Sequence, residues 1–537
     1  MVTKAKTERW SSRIGMILAV AGSAVGLGNF LRFPGLAAQY GSGAFMVAYF
    51  ISLLVLGIPI CWAEWTLGRF AGQSGLHSTP GILYTLVRHP VGKYLGVLGI
   101  LIPLVIYMYY VYIEAWCMGY AFFFLTGKLN LGGDVAAYGD FWANFVGANE
   151  NGLTFSAGYN QVVIFLLLAF ALNFFLIYRG LAKGIEMFCK YAMPALILLA
   201  VVILARVLTL GTPDPLKPDR NVINGLGYMW NPGDVLAQLS NPQLWLAASG
   251  QIFFSLSVGF GIIITYASYL TRKDDIVLSG LTASAANEFC EVALGGLITV
   301  PAAFMFLGAA GIVGQGTFGL GFKVLPLVFS EMPMPQLFGG AFFLLLFLAA
   351  VTSSLSMLQP CIAFMEEGLG LNRKQSVTLL GLLTAIGSAF VVFFSKDLKA
   401  LDTMDFWVGT VCIFIMATII IIIFGWVLGL ERSWREAHRG AEMRIPVFFK
   451  PIIKFVSPLY LITVFALFIL FNVFGWNPST GRFEPSSYVS DVVGPEPSTV
   501  ARLSLALIAI IIVFFLILIG TAGKRWRQTE GETDPGR

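Results

Sequence analysis

The sequence predicts an all-α polytopic membrane protein: twelve transmembrane helices, the first ten forming a 5+5 inverted repeat with helices one and six broken. Three observations predict it. Of 537 residues, 57% are hydrophobic and only 12% charged, about half the charged share of a soluble domain. Twelve apolar runs approach the ~20 residues that a spanning helix needs. The first and sixth runs are interrupted by glycines at corresponding places in two five-run halves. Five is odd, so the halves enter the membrane in opposite directions. Paired broken helices in such a repeat point to the midplane site of a secondary transporter.

The first run, about 14–38, contains G-S-A-V-G-L-G-N-F-L-R-F-P from Gly22 to Pro34. Glycine weakens a helix because it has more backbone freedom to lose. A broken helix in hydrocarbon leaves N–H and C=O groups unpaired, which is tolerable only beside protein, water or a ligand. Free carbonyls beside Asn29 suit a small hard cation. Free N–H groups at the start of the second half-helix suit a carboxylate. Gly22-x-x-x-Gly26 alone reads as a helix-packing motif. Gly28, Asn29 and Arg32 argue for a site, because packing needs neither a third glycine nor a charge.

The second run, 43–67, carries Glu64 near its end. It is either an interfacial carboxylate or a cap for the free N–H groups of a broken helix. The third, 95–125, reads I-P-L-V-I-Y-M-Y-Y-V-Y-I-E from Ile102 to Glu114. Ile106 and Tyr110 are four apart and share a face. An interfacial aromatic belt explains some of these tyrosines and explains mid-helix Tyr110 poorly. Runs 161–178 and 191–210 are plainer. The sixth, 243–270, holds Q-I-F-F-S-L-S-V-G-F-G from Gln251 to Gly261. The seventh, 277–308, carries Asn287, Glu288 and Glu291. An intramembrane carboxylate is costly and functional by default, although one of the two could cap a helix. Residues 309–337, rich in glycine and proline, suggest a re-entrant hairpin. The eighth run, 338–365, carries Thr352, Ser353, Ser354 and Ser356, which either bond back to their own helix or line a polar cavity. After run 377–394, the tenth, 402–429, opens on Asp402 and Asp405. Runs 448–474 and 499–520 carry no central charge and look peripheral.

These runs divide the chain into an N-terminal segment 1–13, a first repeat 14–210, a loop 211–242, a second repeat 243–430, helices eleven and twelve in 431–522, and a tail 523–537. Roughly 24 of the 34 Lys and Arg residues fall on the N-terminal side of the membrane and roughly 8 on the other. Both termini are therefore expected in the cytoplasm of a plasma (inner) membrane protein, with the lipid bilayer as its solvent. The net charge of +5 follows from that bias and does not call for nucleic acid. No run has the layout of a signal peptide. Cys61, Cys117, Cys189, Cys290, Cys361 and Cys412 lie in or beside apolar runs without a C-x-x-C pair, and read as small buried hydrophobes. The histidines His77, His89 and His438 lie in loops. No nucleophile–base pair or phosphate loop appears, so an enzyme is not expected.

At G-S-A-V-G-L-G-N-F-L-R-F-P the chain resembles the neurotransmitter:sodium symporter family, close to its bacterial leucine transporter branch. The likeness extends from Trp10 to about residue 520, with matching motifs in segments 1, 3, 6, 7, 8 and 10. It implies the leucine-transporter fold, with helices 1, 2, 6 and 7 moving against a scaffold, and a bacterial source. It implies two Na+ sites. The first would use Ala24, Asn29, Ser255 and Asn287 with the substrate carboxylate. The second would use Gly22, Val25, Ala349, Thr352 and Ser353. All are neutral oxygen donors, as a small hard cation needs. The substrate would meet Ala24, Leu27, Gly28, Ile106, Tyr110, Phe254, Ser255, Ser257, Phe260, Ser353 and Met357. Arg32, Asp405 and Gln251 would form an outer gate; Trp10, Ser268, Tyr269, Gln359 and Glu367 would form an inner one. Glu291 would stand in for chloride. One departure concerns the inner gate. Thr7, beside Lys6 and Arg9, stands where the family has an arginine paired with an acid.

The expected function is sodium-coupled import of neutral, mainly hydrophobic, L-amino acids by alternating access, independent of chloride, in a chain that could form a homodimer. A proton-coupled amino-acid transporter using Glu288 or Glu291, and an amino-acid sensor or channel, are the alternatives. A sensor usually appends a long signalling domain, and a channel needs a continuous polar pore.

Overall fold

The computed structural model describes residues 8–87, 89–152, 162–231, 233–477 and 480–533, with side chains described as far as Trp526. Among the described residues, nine helices are long and apolar enough to cross a membrane. The bent pair Arg13–Ala24 and Gly28–Gln39 adds a tenth. The shorter apolar helix Val162–Tyr178 and the broken pair Pro242–Leu256 and Ile262–Ser268 complete the twelve expected segments. In chain order the spans are one (Arg13–Gln39), two (Gly43–Gly72), three (Pro90–Leu125), four (Val162–Tyr178), five (Leu181–Leu208), six (Pro242–Ser268), seven (Ile276–Ile312), eight (Pro335–Leu369), nine (Arg373–Phe393), ten (Lys396–Val427), eleven (Phe449–Val473) and twelve (Thr499–Trp526). One departure from an all-helical fold is a short antiparallel pair, Trp476–Asn477 with Arg482–Phe483, between spans eleven and twelve.

Spans three and eight pack along one another and gather spans four, five and nine around them. Span one lies between span seven and span eight, and span two packs on the second half of span six. A buried clasp joins the scaffold spans. The Glu114 carboxylate accepts from the Ser354 hydroxyl at 2.6 Å and from Asn173 Nδ2 at 3.1 and 3.3 Å. A carboxylate so deep is tolerable only with such donors. The region between spans seven and eight, expected as a hairpin, contains the helix Gly316–Ser330.

Both breaks have a local cause. The halves of span one meet at 45°, and Val25 between them is extended (φ −74°, ψ 98°), which turns its carbonyl out of the helical ladder. In span six, Gly259 and Gly261 take φ of +77° and +83°, and Ser257 takes +55°. The glycines adopt that region freely. Ser257 pays strain there, as residues at functional sites often do.

Candidate functional site

The two breaks face each other at mid-depth. Ser257 Oγ donates to the Ser23 carbonyl at 2.9 Å, which ties the break of span six to that of span one. Span eight closes a third side: Ser353 Oγ donates to the Ser23 and Gly22 carbonyls at 3.2 and 3.4 Å. Tyr110 of span three closes the fourth, its hydroxyl accepting from the Leu27 N–H at 3.2 Å. Between them lies a small cavity of about 10 Å³, lined by Ser23, Ala24, Gly26, Gly28, Tyr110, Phe254, Ser255, Ser257, Phe260, Ser353 and Met357. Every lining residue is neutral. Phe254 and Phe260 meet edge to face, 5.9 Å between ring centres. Gly26 is required by space: a Cβ there would sit 2.7 Å from Ser353 Oγ and 3.0 Å from the Tyr110 hydroxyl.

Of the expected substrate residues, Leu27 and Ile106 are absent from this lining. Leu27 faces the vestibule described below, and Ile106 is wholly buried in span three. Ser23 and Gly26 line the cavity although only the break as a whole was legible. Their signal was the glycine spacing, which marks the break without saying which side chains turn inward.

Beside the cavity runs a chain of amides and carboxylates. Asn29 Oδ1 accepts from the Gly26 N–H at 2.8 Å, and Asn29 Nδ2 donates to Asn287 Oδ1 at 2.8 Å. Asn287 Nδ2 donates to Ser255 Oγ at 2.5 Å. Asn29, Asn287 and Ser255 are thus linked in one chain that ends at the cavity Ser255 and Ala24 line. Glu291 gathers four donors around it: the Ser255 hydroxyl, Gln251 Nε2 at 2.5 Å, Asn287 Nδ2 at 3.3 Å and Asn29 Nδ2 at 3.5 Å. Glu288 instead accepts from the Tyr49 hydroxyl at 2.8 Å. Neither acid caps a helix end.

The hydroxyls of span eight divide their work. Thr352 bonds back to the Ala349 carbonyl at 2.9 Å and Ser356 to the Thr352 carbonyl at 3.0 Å. Ser354 reaches Glu114, and Ser353 reaches span one. Thr352 also abuts Gly22, where an added Cβ would sit 3.2 Å from Thr352 Cβ. Gly22, Ala349, Thr352 and Ser353 therefore meet, with the turned-out Val25 next to them. Close packing and oxygen donors coexist at Gly22.

Glu64 resolves to a cap. Its Oε1 accepts the Gly259 N–H at 2.9 Å, a donor freed by the break in span six. Glu64→Ala is expected to leave that buried N–H unpaired and cost about 1–3 kcal/mol, whereas Glu64→Gln, which keeps an acceptor, costs less. Apparent melting temperatures of the detergent-solubilised variants check the order.

On the face opposite the N-terminus, a vestibule of about 360 Å³ opens above the cavity, lined by Leu27, Arg32, Tyr109, Phe254, Thr317, Asp405 and Tyr488 among others. Arg32 and Asp405 share it without forming an ion pair. Asp405 accepts from the Tyr109 hydroxyl at 2.6 Å. The Arg32 guanidinium lies 4.6 Å over the Phe254 ring, and its Nη1 has no partner among the described residues. Gln251 turns away to Glu291 and, at 3.4 Å, to the Gly28 carbonyl. The expected outer-gate residues are thus neighbours of the vestibule, but unlatched.

The N-terminal face is shut. Trp10 Nε1 donates to the Tyr266 carbonyl at 3.2 Å, and the two rings meet edge to face. Gln359 Nε2 donates to the Tyr269 hydroxyl at 3.0 Å. Glu367 accepts from the N–H groups of His77 and Ser78 and from the Ser78 hydroxyl. The nearby ion pairs belong to Arg373, 3.3 Å from Glu8 and 3.9 Å from Glu366. Thr7 and Lys6 lie outside the described residues. Glu8 also accepts from the Leu181 N–H at 3.1 Å, so this acid tethers the N-terminal segment together with Arg13, which lies 2.9 Å from Glu442 and 3.5 Å from Asp275. Sequence reasoning missed Glu8, Arg373 and His77, because the contacts join residues far apart in the chain.

The model of the Sodium:neurotransmitter symporter family matches residues 7–133 and 129–522. An uncharacterized sodium-dependent transporter of Methanocaldococcus jannaschii is 30% identical over 464 residues, 85% of this chain and 89% of its own. The sodium-dependent neutral amino acid transporter B(0)AT1 of Mus musculus is 22% identical over 568 residues, 90% of this chain and 86% of its own. The crystal structure of MhsT in complex with L-phenylalanine superposes with a TM-score of 0.74 at 28% identity, covering 86% of this chain and 99% of that one.

Proposed function

The chain belongs to the sodium:neurotransmitter symporter family, a family of transporters and not of enzymes, and from that premise we propose that it imports neutral, mainly hydrophobic, L-amino acids in symport with sodium, using two Na+ sites and no chloride. The observation that carries this reading is the neutral cavity between the two helix breaks. A zwitterion needs a donor for its carboxylate and acceptors for its amine, and no net countercharge. The Leu27 and Gly28 N–H groups and the Tyr110 hydroxyl supply the first. The carbonyls released at Ala24, Phe254 and Ser255, with the Ser257 hydroxyl, supply the second. Phe254, Phe260 and Met357 offer an apolar wall. Acidic and basic side chains are disfavoured because burying an unpaired charge is costly.

The same geometry favours sodium as the driving ion. Asn29, Asn287 and Ser255 form one hydrogen-bonded chain that reaches the cavity lined by Ala24, and Ser353 and Thr352 meet span one beside Gly22. These are neutral oxygens of the type a hard cation takes. In this reading the N-terminal face is cytoplasmic, by its basic residues, and the vestibule admits substrate from outside. The shut face and the open vestibule together then describe one stage of alternating access, the one open to the outside.

Reconstituted protein tests the proposal. Uptake of leucine, phenylalanine or alanine into proteoliposomes should require an inward sodium gradient and stop when choline replaces sodium at fixed pH. Uptake that persists in choline and follows a proton gradient would overturn it and favour coupling through Glu291 or Glu288. A screen of the twenty amino acids should exclude the acidic and basic ones.

A further inference from the structure

Between spans two and three, residues 73–78 cross the N-terminal face, and His77 is built into its closure. The ring lies flat on Tyr269, with centres 4.4 Å apart and planes within 13°. His77 Nδ1 is 3.0 Å from Ser268 Oγ. The Ser268 hydroxyl donates to the Thr265 carbonyl at 2.6 Å, so Nδ1 carries the ring proton and donates to Ser268 Oγ. Nε2 is then a bare acceptor, buried and without a partner among the described residues. The backbone N–H of His77 donates to Glu367 of span eight. One loop residue therefore touches both the second half of span six and the end of span eight. Those two elements must part if this face is to open.

We propose that His77 is the positioning residue that latches this gate as a neutral imidazole, and that a proton taken up at Nε2 releases it. The inference rests on the alternating-access reading given above. Opening hydrates the ring and lets Nε2 meet water, whereas closure returns a lone pair to a site with no donor. An imidazolium would be still worse placed in the closed gate. Its second N–H would be orphaned and its charge desolvated.

The groups facing His77 do not supply a ready countercharge. Glu367 is in contact, but its oxygens are taken by the His77 and Ser78 N–H groups and the Ser78 hydroxyl. Tyr269 covers one ring face and is itself bonded by Gln359. Glu366, Arg373 and Glu8 form their own ion-paired group. On the side of span two, Arg69 is committed to the carbonyls of Asp274, Glu436 and Arg439. Burial pushes the imidazole down to about 4 in the closed gate, against ~6.5 for a solvated ring. The latch is therefore fully effective above ~6.5 and is lost as pH falls towards 4. Between pH 7.5 and 5.5 the open-to-closed ratio should rise about tenfold.

Hydrogen exchange of residues 262–272, measured by mass spectrometry on the full chain in nanodiscs without sodium, reads this ratio. Exchange times are scaled for the intrinsic effect of pH. In the wild type, protection should fall about tenfold from pH 7.5 to 5.5. His77→Phe keeps the stack and cannot titrate; His77→Asn keeps an amide for Ser268 and cannot titrate. Both should lose the response to pH. A wild type that does not respond, or variants that respond as it does, would overturn the proposal. The readout needs no substrate. Its failure would leave sodium-driven uptake standing, and a failure of uptake would not produce a flat exchange profile.

Discussion

Replacing Glu291 with serine should make uptake depend on chloride, and replacing it with glutamine should lower sodium-driven uptake about a hundredfold. The wild type, by contrast, is expected to transport equally in chloride and in gluconate. Glu291 gathers four donors from spans one, six and seven: Asn29, Gln251, Ser255 and Asn287. Three of them, Asn29, Ser255 and Asn287, are also the proposed ligands of the first sodium. In that proposal a carboxylate there would both orient those ligands and balance the cation. At an effective dielectric of ~20, a unit charge ~6 Å from the ion is worth about 3 kcal/mol, roughly a hundredfold. Glutamine removes the charge and adds an N–H group that faces existing donors. Serine removes the charge and leaves room, so a chloride ion can take the place. Uptake by the three proteins in chloride and gluconate media decides the matter. A wild type that collapses in gluconate, or a Glu291→Ser protein indifferent to chloride, would show that the carboxylate does not act as a fixed anion.

What the sequence made legible follows from which signals are local. Span number and the two breaks were readable because hydrophobic length and glycine are properties of short windows. Gly259 and Gly261 do adopt the left-handed backbone that their presence suggested. Ser257 shares it, and nothing in its residue type announces that. Glu64 had two readings, and only the approach of span six to span two selects the cap. The four hydroxyls of span eight illustrate the same limit. Their spacing places them on one helix, but whether each turns to its own carbonyl, to Glu114 or to span one depends on what packs alongside. Ile106 shares a face with Tyr110, yet Tyr110 lines the cavity and Ile106 does not, because four residues of helix rise are enough to leave so small a space. Arg32 and Asp405 are neighbours, as expected, but the arginine rests on Phe254 and the aspartate on Tyr109. A gate is a pair of states, and sequence nominates candidate members without saying which state prevails. His77 was the least legible, since its partners Ser268 and Glu367 lie 191 and 290 positions away.

The decarboxylated amine of a transported amino acid should enter at less than about a thousandth of the parent's rate. The cavity holds no acidic side chain, and Glu291 stands behind the proposed ligands of the first sodium, so a carboxylate that faces the ion from the cavity has to come with the substrate. An amine without a carboxylate leaves the Gly28 N–H group and the proton of the Tyr110 hydroxyl, which itself accepts from Leu27, unmatched, and would deprive the proposed sodium of one ligand. Hydrogen bonds to a charged group are worth about 1.5–3 kcal/mol each. Two of them already amount to a factor of a thousand or so, before the sodium contact is counted. The protein cannot make good the loss through a simple substitution. In Gly26→Asp the new Cβ would lie 2.7 Å from Ser353 Oγ and 3.0 Å from the Tyr110 hydroxyl. Its carboxylate would fall where the substrate's belongs. That variant should lose amino-acid uptake, through crowding and like-charge repulsion together. Tyr110→Phe, which keeps the ring and removes only the hydroxyl, should weaken substrate binding by about 10–100-fold. Paired uptake of leucine and its decarboxylated amine, in the wild type and both variants, tests the chain of inference. Sodium-driven entry of the amine at the parent's rate would mean that the carboxylate is not what the broken helices recognise.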